Sequence, residues 1–169
     1  MTTLRATWCN SLRQRLAASG VVLIALALLF RSHYRLAVVD GNSMLPTLRP
    51  GELLLVDELA YDQAEPRRGD IVVVRYAGEW VVKRIVGLPG EEVEVRDGRL
   101  YVNGGLVKEH HPVAPGDLRV GKGWLLEGDF ATLGDNRAVP SALAVHPIVT
   151  EAAILGKVVP ALGVKATRR

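Results

Sequence analysis

The sequence predicts a mainly β protein, a compact, antiparallel, partly closed β fold behind one N-terminal transmembrane helix. Three observations carry that expectation. From residue 52 to 160, runs of Val, Ile and Leu alternate with turn residues. No helical period longer than a few turns appears beyond residue 40. Residues 16–30, LAASGVVLIALALLF, carry no charge and a single hydroxyl, Ser19.

That apolar run comes first. Fifteen residues make roughly 22 Å of helix, short of a hydrocarbon core of about 30 Å. Arg15 and Arg31 can snorkel outward while Leu12, Tyr34 and Leu36 extend the apolar stretch, so the anchor is placed at 16–36. A cleaved secretory leader would want a small-x-small site after the run, and RSHYRLAVVD offers none. A buried core helix would show a polar face, and this run is apolar all round. Arg5, Arg13 and Arg15 precede it, against Arg31 and Arg35 after it. The positive-inside bias therefore puts residues 1–15 in the cytoplasm and the rest of a single-pass chain outside, on a cytoplasmic (inner or plasma) membrane.

Charge and cysteine content narrow the classes further. The chain has 169 residues, with 21 Lys and Arg against 18 Asp and Glu, a formal net charge of +3. All the acidic residues lie at or after Asp40, so the basic excess belongs to the N-terminal segment and a nucleic-acid partner loses its support. One cysteine, Cys9, excludes an internal disulfide framework, and no Cys/His cluster has zinc spacing. Neither metal nor organic cofactor is expected, and a monomer is.

The β-rich body is placed at 37–160. Its strand candidates are 52–59, 70–76, 80–87, 91–97, 99–104, 123–129, 130–134 and 152–160. Asp97-Gly98 between two alternating runs is a strong two-residue hairpin signal, and Asn103-Gly104 is a second turn. Residues 105–122, with Pro112 and Pro115, form a loop-rich excursion, and 161–169 a basic tail.

Three segments can carry chemistry. Ser43 lies in a Gly-containing stretch just before Pro46-Thr47; alone it reads as a loop hydroxyl, and it does not fit a Gly-x-Ser-x-Gly elbow because Leu45 fills the second Gly position. Lys83 alternates with Val81 and Ile85 on one face of a strand, while Val82, Arg84 and Val86 take the other. Its bland reading is a solvated strand lysine. On a core-facing side, burial would lower its pKa, and a lysine otherwise only about 0.04% neutral at pH 7 becomes a usable base. Gly134-Asp135-Asn136-Arg137 reads by itself as a solvated turn. His110, His111 and His146 sit in Pro-flanked stretches with no catalytic context and read as surface or satisfied histidines.

The combination says more than its parts. Ser-Met-x-Pro-Thr-Leu (43–48), Arg-Gly-Asp-Ile-Val-Val (68–73), Lys-Arg-Ile-Val-Gly-Leu-Pro-Gly (83–90) and Gly-Asp-Asn-Arg (134–137) follow one another behind a hydrophobic segment. In that order they resemble the type I signal peptidase (leader peptidase) family of serine proteases. The resemblance implies a signal-peptidase-like β fold and a Ser-Lys dyad, with Ser43 as nucleophile and Lys83 as general base. It also implies that Met44, with Gly41, Val39 and Asp40, lines the pocket for a small substrate residue, and that the Ser43 backbone N–H helps bind the oxyanion. Pro46, Arg84, Gly134, Asp135, Asn136 and Arg137 would support the site. One departure concerns the stretch after residue 137, where the family commonly has a Ser and then Asp-Ser-Arg. Here Ser141 could hold the lysine amine only with a one-residue shift. The implied partners are a phospholipid bilayer and precursor proteins with small residues at −1 and −3. Alternatives are a Ser-Lys maturation protease with one dedicated substrate, a self-cleaving repressor-type protease, and a non-catalytic membrane-tethered β module.

Overall fold

The computed structural model describes residues 17–24, 31–140 and 148–159. The chain divides into two compact units, Met1–Arg35 and Leu36–Arg169. In the first, residues 17–24 are helical, with Val21, Val22, Leu23 and Ile24 exposed. Among the described residues no helix is long and apolar enough to cross a membrane. Residues 16 and 25–30 of the expected anchor lie outside the described residues, as do 1–15 and the tail 161–169. The far end of the expected span is corrected: Tyr34–Val38 is a strand, β1, in which Ala37 packs on the core while Leu36 and Val38 stay exposed.

The remaining strands are β2 (Leu53–Asp57), β3 (Ile71–Tyr76), β4 (Glu79–Gly87), β5 (Glu92–Arg96), β6 (Arg99–Val102), β7 (Gly105–Leu106), β8 (Val120–Trp124), β9 (Asp129–Leu133), β10 (Ile148–Thr150) and β11 (Ile154–Val159). They form a seven-stranded sheet in the order β1-β2-β11-β3-β4-β9-β10 and a four-stranded sheet in the order β7-β6-β5-β8. The expected partial closure gives way to two open sheets. After Gly87 the chain turns at Leu88-Pro89-Gly90, and β5 and β6 pair locally, so these strands do not extend the first sheet toward its own edge.

Local chemistry explains the hairpins. Asp97 and Gly98 have φ of 50° and 72°, the paired positive values of a two-residue turn between β5 and β6. Asn103-Gly104 repeats the device before β7. Ala77-Gly78 does the same between β3 and β4, although Ala is no turn signal. The strand expected at 123–129 is instead Val120–Trp124, β8, which takes the end of the expected 105–122 excursion. It stops at Trp124 because the chain turns at 126–129, where the Asp129 N–H donates to the Leu126 carbonyl at 3.0 Å.

Three apolar clusters fill the body. Val39, Met44, Leu48, Leu54, Val56, Val73 and Val158 make the one that matters for the site, with Val82 packed against it. A second gathers Val72, Val74, Ile85, Phe130 and Val149, and the third lies chiefly under the smaller sheet, around Val93, Val95, Leu100 and Leu125. Since β4 is flanked by clusters on both faces, its second half is buried throughout.

Candidate active site

The loop between β1 and β2 holds Ser43. Val39, Met44 and Leu48 point into the core, and burying each such side chain is worth about 1.5–3 kcal/mol. Backbone bonds close the loop: the Val39 N–H donates to the Glu52 carbonyl (2.9 Å), the Gly51 N–H to the Val39 carbonyl (2.9 Å) and the Leu48 N–H to the Met44 carbonyl (2.9 Å). Gly41, at φ 86°, supplies the left-handed bend two residues before Ser43. Ser43 is therefore held half-buried between exposed Asn42 and fully buried Met44.

Lys83 stands opposite Val72 of β3 and is only 3% exposed. It makes no hydrogen bond or ion pair among the described residues. Burial pushes its pKa down from 10.5 to about 8, against the Asp135 carboxylate, which pulls the other way. The side chain is thus buried and is not the solvated strand lysine of the bland reading.

Its neighbour Arg84 is also buried but fully paired. Nε and Nη2 donate to the two oxygens of Asp135 at 2.8 and 2.7 Å, and Nη1 donates to the Gly69 carbonyl at 2.7 Å. Asp135 is itself inaccessible and also accepts a 2.5 Å hydrogen bond from the Thr47 hydroxyl. The 134–137 segment is thus a structural clamp, not a solvated turn. The Asn136 N–H donates to the Ser43 carbonyl (3.0 Å), and Asn136 Nδ2 donates to the Asn42 carbonyl (3.1 Å). Gly134 is required by that approach, because a Cβ there would run into the Ser43 carbonyl oxygen. Arg137, fully buried, donates to the Gly134 and Gly98 carbonyls (2.9 and 2.8 Å) and to Glu109 (2.5 Å).

A cleft of about 270 Å3 joins these segments. Ser43 and Lys83 both line it, together with Val39, Asp40, Gly41, Met44, Gly134 and Asn136. Arg84, Asp135 and Arg137 stand behind it, and Pro46, preceded by a cis peptide bond, is exposed away from it. Ser141 lies outside the described residues. Sequence reasoning passed over Trp80, Leu118 and Val139 in the cleft wall and the Thr47 bond to Asp135. It also read His111 as bland, whereas Glu109 and His111 reach the clamp from the excursion. For Glu109, burial raises the carboxyl pKa, but His111 and Arg137 outweigh that and hold it below the ordinary range. Among the described residues no cluster of His, Cys, Asp and Glu has the form of a metal site.

A polar clamp behind a Ser- and Lys-lined cleft on an antiparallel sheet defines a class of fold and site, and comparison with known proteins places the chain within it. Residues 12–160 match the family model described as Signal peptidase, peptidase S26. The chain belongs to that family. It is 37% identical over 109 residues to a signal peptidase I of Leptolyngbya laminosa, a match covering 59% of this chain and 54% of the relative. It is 39% identical over 132 residues to a signal peptidase I of Bacillus caldolyticus, covering 73% and 68%. The chain spans about half the length of the Leptolyngbya relative. A crystal structure of a signal peptidase I from Enterococcus faecalis V583 aligns with 57% of this chain and 98% of that one, at 28% identity and a TM-score of 0.43.

Proposed function

We propose that this chain is a membrane-anchored serine endopeptidase that removes N-terminal signal peptides from translocated precursors, cleaving after a small residue through a Ser43–Lys83 dyad. One observation carries the reading. A single cleft is lined both by a hydroxyl residue and by a buried lysine whose amine has no partner among the described residues and a pKa near 8. About a tenth of such lysines are neutral at pH 7, against about 0.04% of ordinary ones.

The steps follow from that acid–base balance. Neutral Lys83 takes the Ser43 proton as Oγ attacks the scissile carbonyl carbon, and the Ser43 backbone N–H stabilises the oxyanion. The resulting ammonium then protonates the leaving amine, and the acyl-enzyme forms as the C–N bond breaks. Water, deprotonated by the same amine, attacks the ester carbon; the C–Oγ bond breaks, the ammonium returns its proton to Ser43 Oγ, and the cleaved signal peptide leaves as its carboxylate. The clamp contributes position, since Asn136 fixes the Ser43 carbonyl while Arg84 and Thr47 fix Asp135. Strand-like backbone around Val38, Val39 and Asp40 offers an edge for extended substrate, and Val39 and Met44 narrow the pocket toward small side chains.

In this reading the apolar segment 16–30 supplies the anchor and the body faces the extracytoplasmic side. The test is cleavage of a precursor carrying Ala-x-Ala before its junction, presented with the full chain in vesicles. Processing that disappears in Ser43→Ala and in Lys83→Ala supports the proposal. Substantial processing by either variant overturns it.

A further inference from the structure

We propose that His111, on the excursion between β7 and β8, is a positioning residue for the Ser43–Lys83 site, an inference that rests on the function proposed above. The excursion is docked on the clamp through its backbone: the Ala114 N–H donates to the Asp135 carbonyl (2.9 Å), and the Arg137 N–H donates to the Ala114 carbonyl (3.0 Å). Gly116 permits the contact, because a Cβ there would meet the Arg137 carbonyl. His111 brings the side chain that this docking delivers. Its Nε2 is buried, has no hydrogen-bond partner among the described residues, and lies 3.3 Å from Glu109 Oε1 and 3.4 Å from Asp135 Oδ1. A buried polar atom without a partner costs stability, so this one is held in place by its surroundings.

His111 meets Glu109 from its own segment and Asp135 from the clamp; Arg137 holds that Glu109, and Arg84 from β4 and the Thr47 hydroxyl from the Ser43 loop hold that Asp135. Two guanidinium groups already balance the two carboxylates. The His111 Nε2–H, donated to Asp135, closes the last side of that carboxylate, which Arg84 and Thr47 hold from the others. A shift of a few tenths of an ångström completes the bond, the kind of tightening expected when a site closes on substrate. His111 thereby steadies Asp135, and through the clamp the Ser43 carbonyl, without touching substrate.

The test compares His111→Phe, which keeps the ring's bulk without the donor, with His111→Gln, which keeps an N–H donor. Both are measured by single-turnover acylation with a serine-directed acylating probe and by precursor cleavage. The amplitude of acylation reports the folded fraction and its rate reports positioning, so a partly unfolded variant still answers. The expected result is an acylation rate and kcat about tenfold lower in His111→Phe, with KM changed less than twofold. The ratio to wild type should be the same at pH 7 and pH 9, and His111→Gln should lie within twofold of wild type. A wild-type rate in His111→Phe, an equal loss in His111→Gln, a defect confined to KM, or one confined to acidic pH would each overturn the proposal. Ser43→Ala run in parallel separates the two readings: labelling that persists there refutes the dyad, not the role of His111.

Discussion

Two buried cations stand side by side on β4, and the protein treats them oppositely. Arg84, 6% exposed, is locked to both oxygens of a fully buried carboxylate and to a backbone carbonyl. Lys83, 3% exposed, is given no counter-ion within bonding distance among the described residues. The contrast follows from what each side chain can do. A guanidinium cannot lose its proton in a protein, so a buried Arg must be paired. An ammonium can lose one, so burial without a partner produces a base. Alternation along β4 sends the two side chains to opposite faces: one is a structural tie, and in the proposed function the other is the base.

The largest expected effect breaks the reactive side. Lys83→Ala should lower precursor cleavage by about 10^3-fold or more while leaving the circular dichroism spectrum unchanged. Lys83→Arg sharpens the point, since it retains a cation that cannot become neutral, and it should be as inactive as Ala. An active Lys83→Arg variant would mean that charge, not proton transfer, is what the site uses.

Breaking the structural side comes next. Arg84→Met leaves the Asp135 carboxylate buried without its main partner and should destabilise the fold by about 3–5 kcal/mol in urea unfolding. Arg84→Met combined with Asp135→Leu removes both charges and should recover much of that loss. A double variant no more stable than the sum of the single ones would show that packing, not the ion pair, carries the tie.

The pH dependence of stability separates the two cations again. With a folded pKa near 8 against 10.5, Lys83 binds a proton less readily in the native state. Between about pH 8 and 10.5 the unfolded chain therefore holds more protons, and wild-type stability gains from this group as pH rises through that window. At pH 7 its burial costs about 3 kcal/mol at most. Lys83→Met should be more stable than wild type at pH 7, and the gap should close by pH 10.5. A gap that stays constant with pH would mean the amine is not desolvated. Precursor cleavage should likewise rise toward pH 8 and then level off.

Much of this arrangement is legible in the sequence, for physical reasons. β2 to β6 follow from Val and Ile runs between Asp-Gly, Asn-Gly and Pro-Gly turns, and Lys83 is marked by β-branched neighbours on its own face. The Ala77-Gly78 hairpin is not legible, because an Ala at positive φ is stabilised by the β3–β4 ladder and not by its own preference. Nor are β1 and β10, short edge strands whose pairing depends on neighbours remote in sequence. The clamp is half legible: Gly134-Asp135-Asn136-Arg137 is visible as a motif, but its partners Thr47, Glu109 and His111 are not. Glu109 and His111 sit in a loop without periodicity, and backbone bonds at Ala114 bring them to the clamp. Side-chain patterning carries no trace of such bonds.

The smallest expected effect supplies the control. Lys122 Nζ lies 3.0 Å from Glu92 Oε1, a distance like those of the Arg84 pair, but its side chain is 60% exposed and that of Glu92 33%. Water screens these charges in both the folded and unfolded states, so the pair gains little on folding. Lys122→Ala should shift stability by less than about 0.5 kcal/mol, weaken further with added salt, and leave precursor cleavage at the wild-type rate. If instead it cost as much as Arg84→Met, the difference between the cations of this protein would lie in pair geometry, and burial could not be what divides the tie from the base.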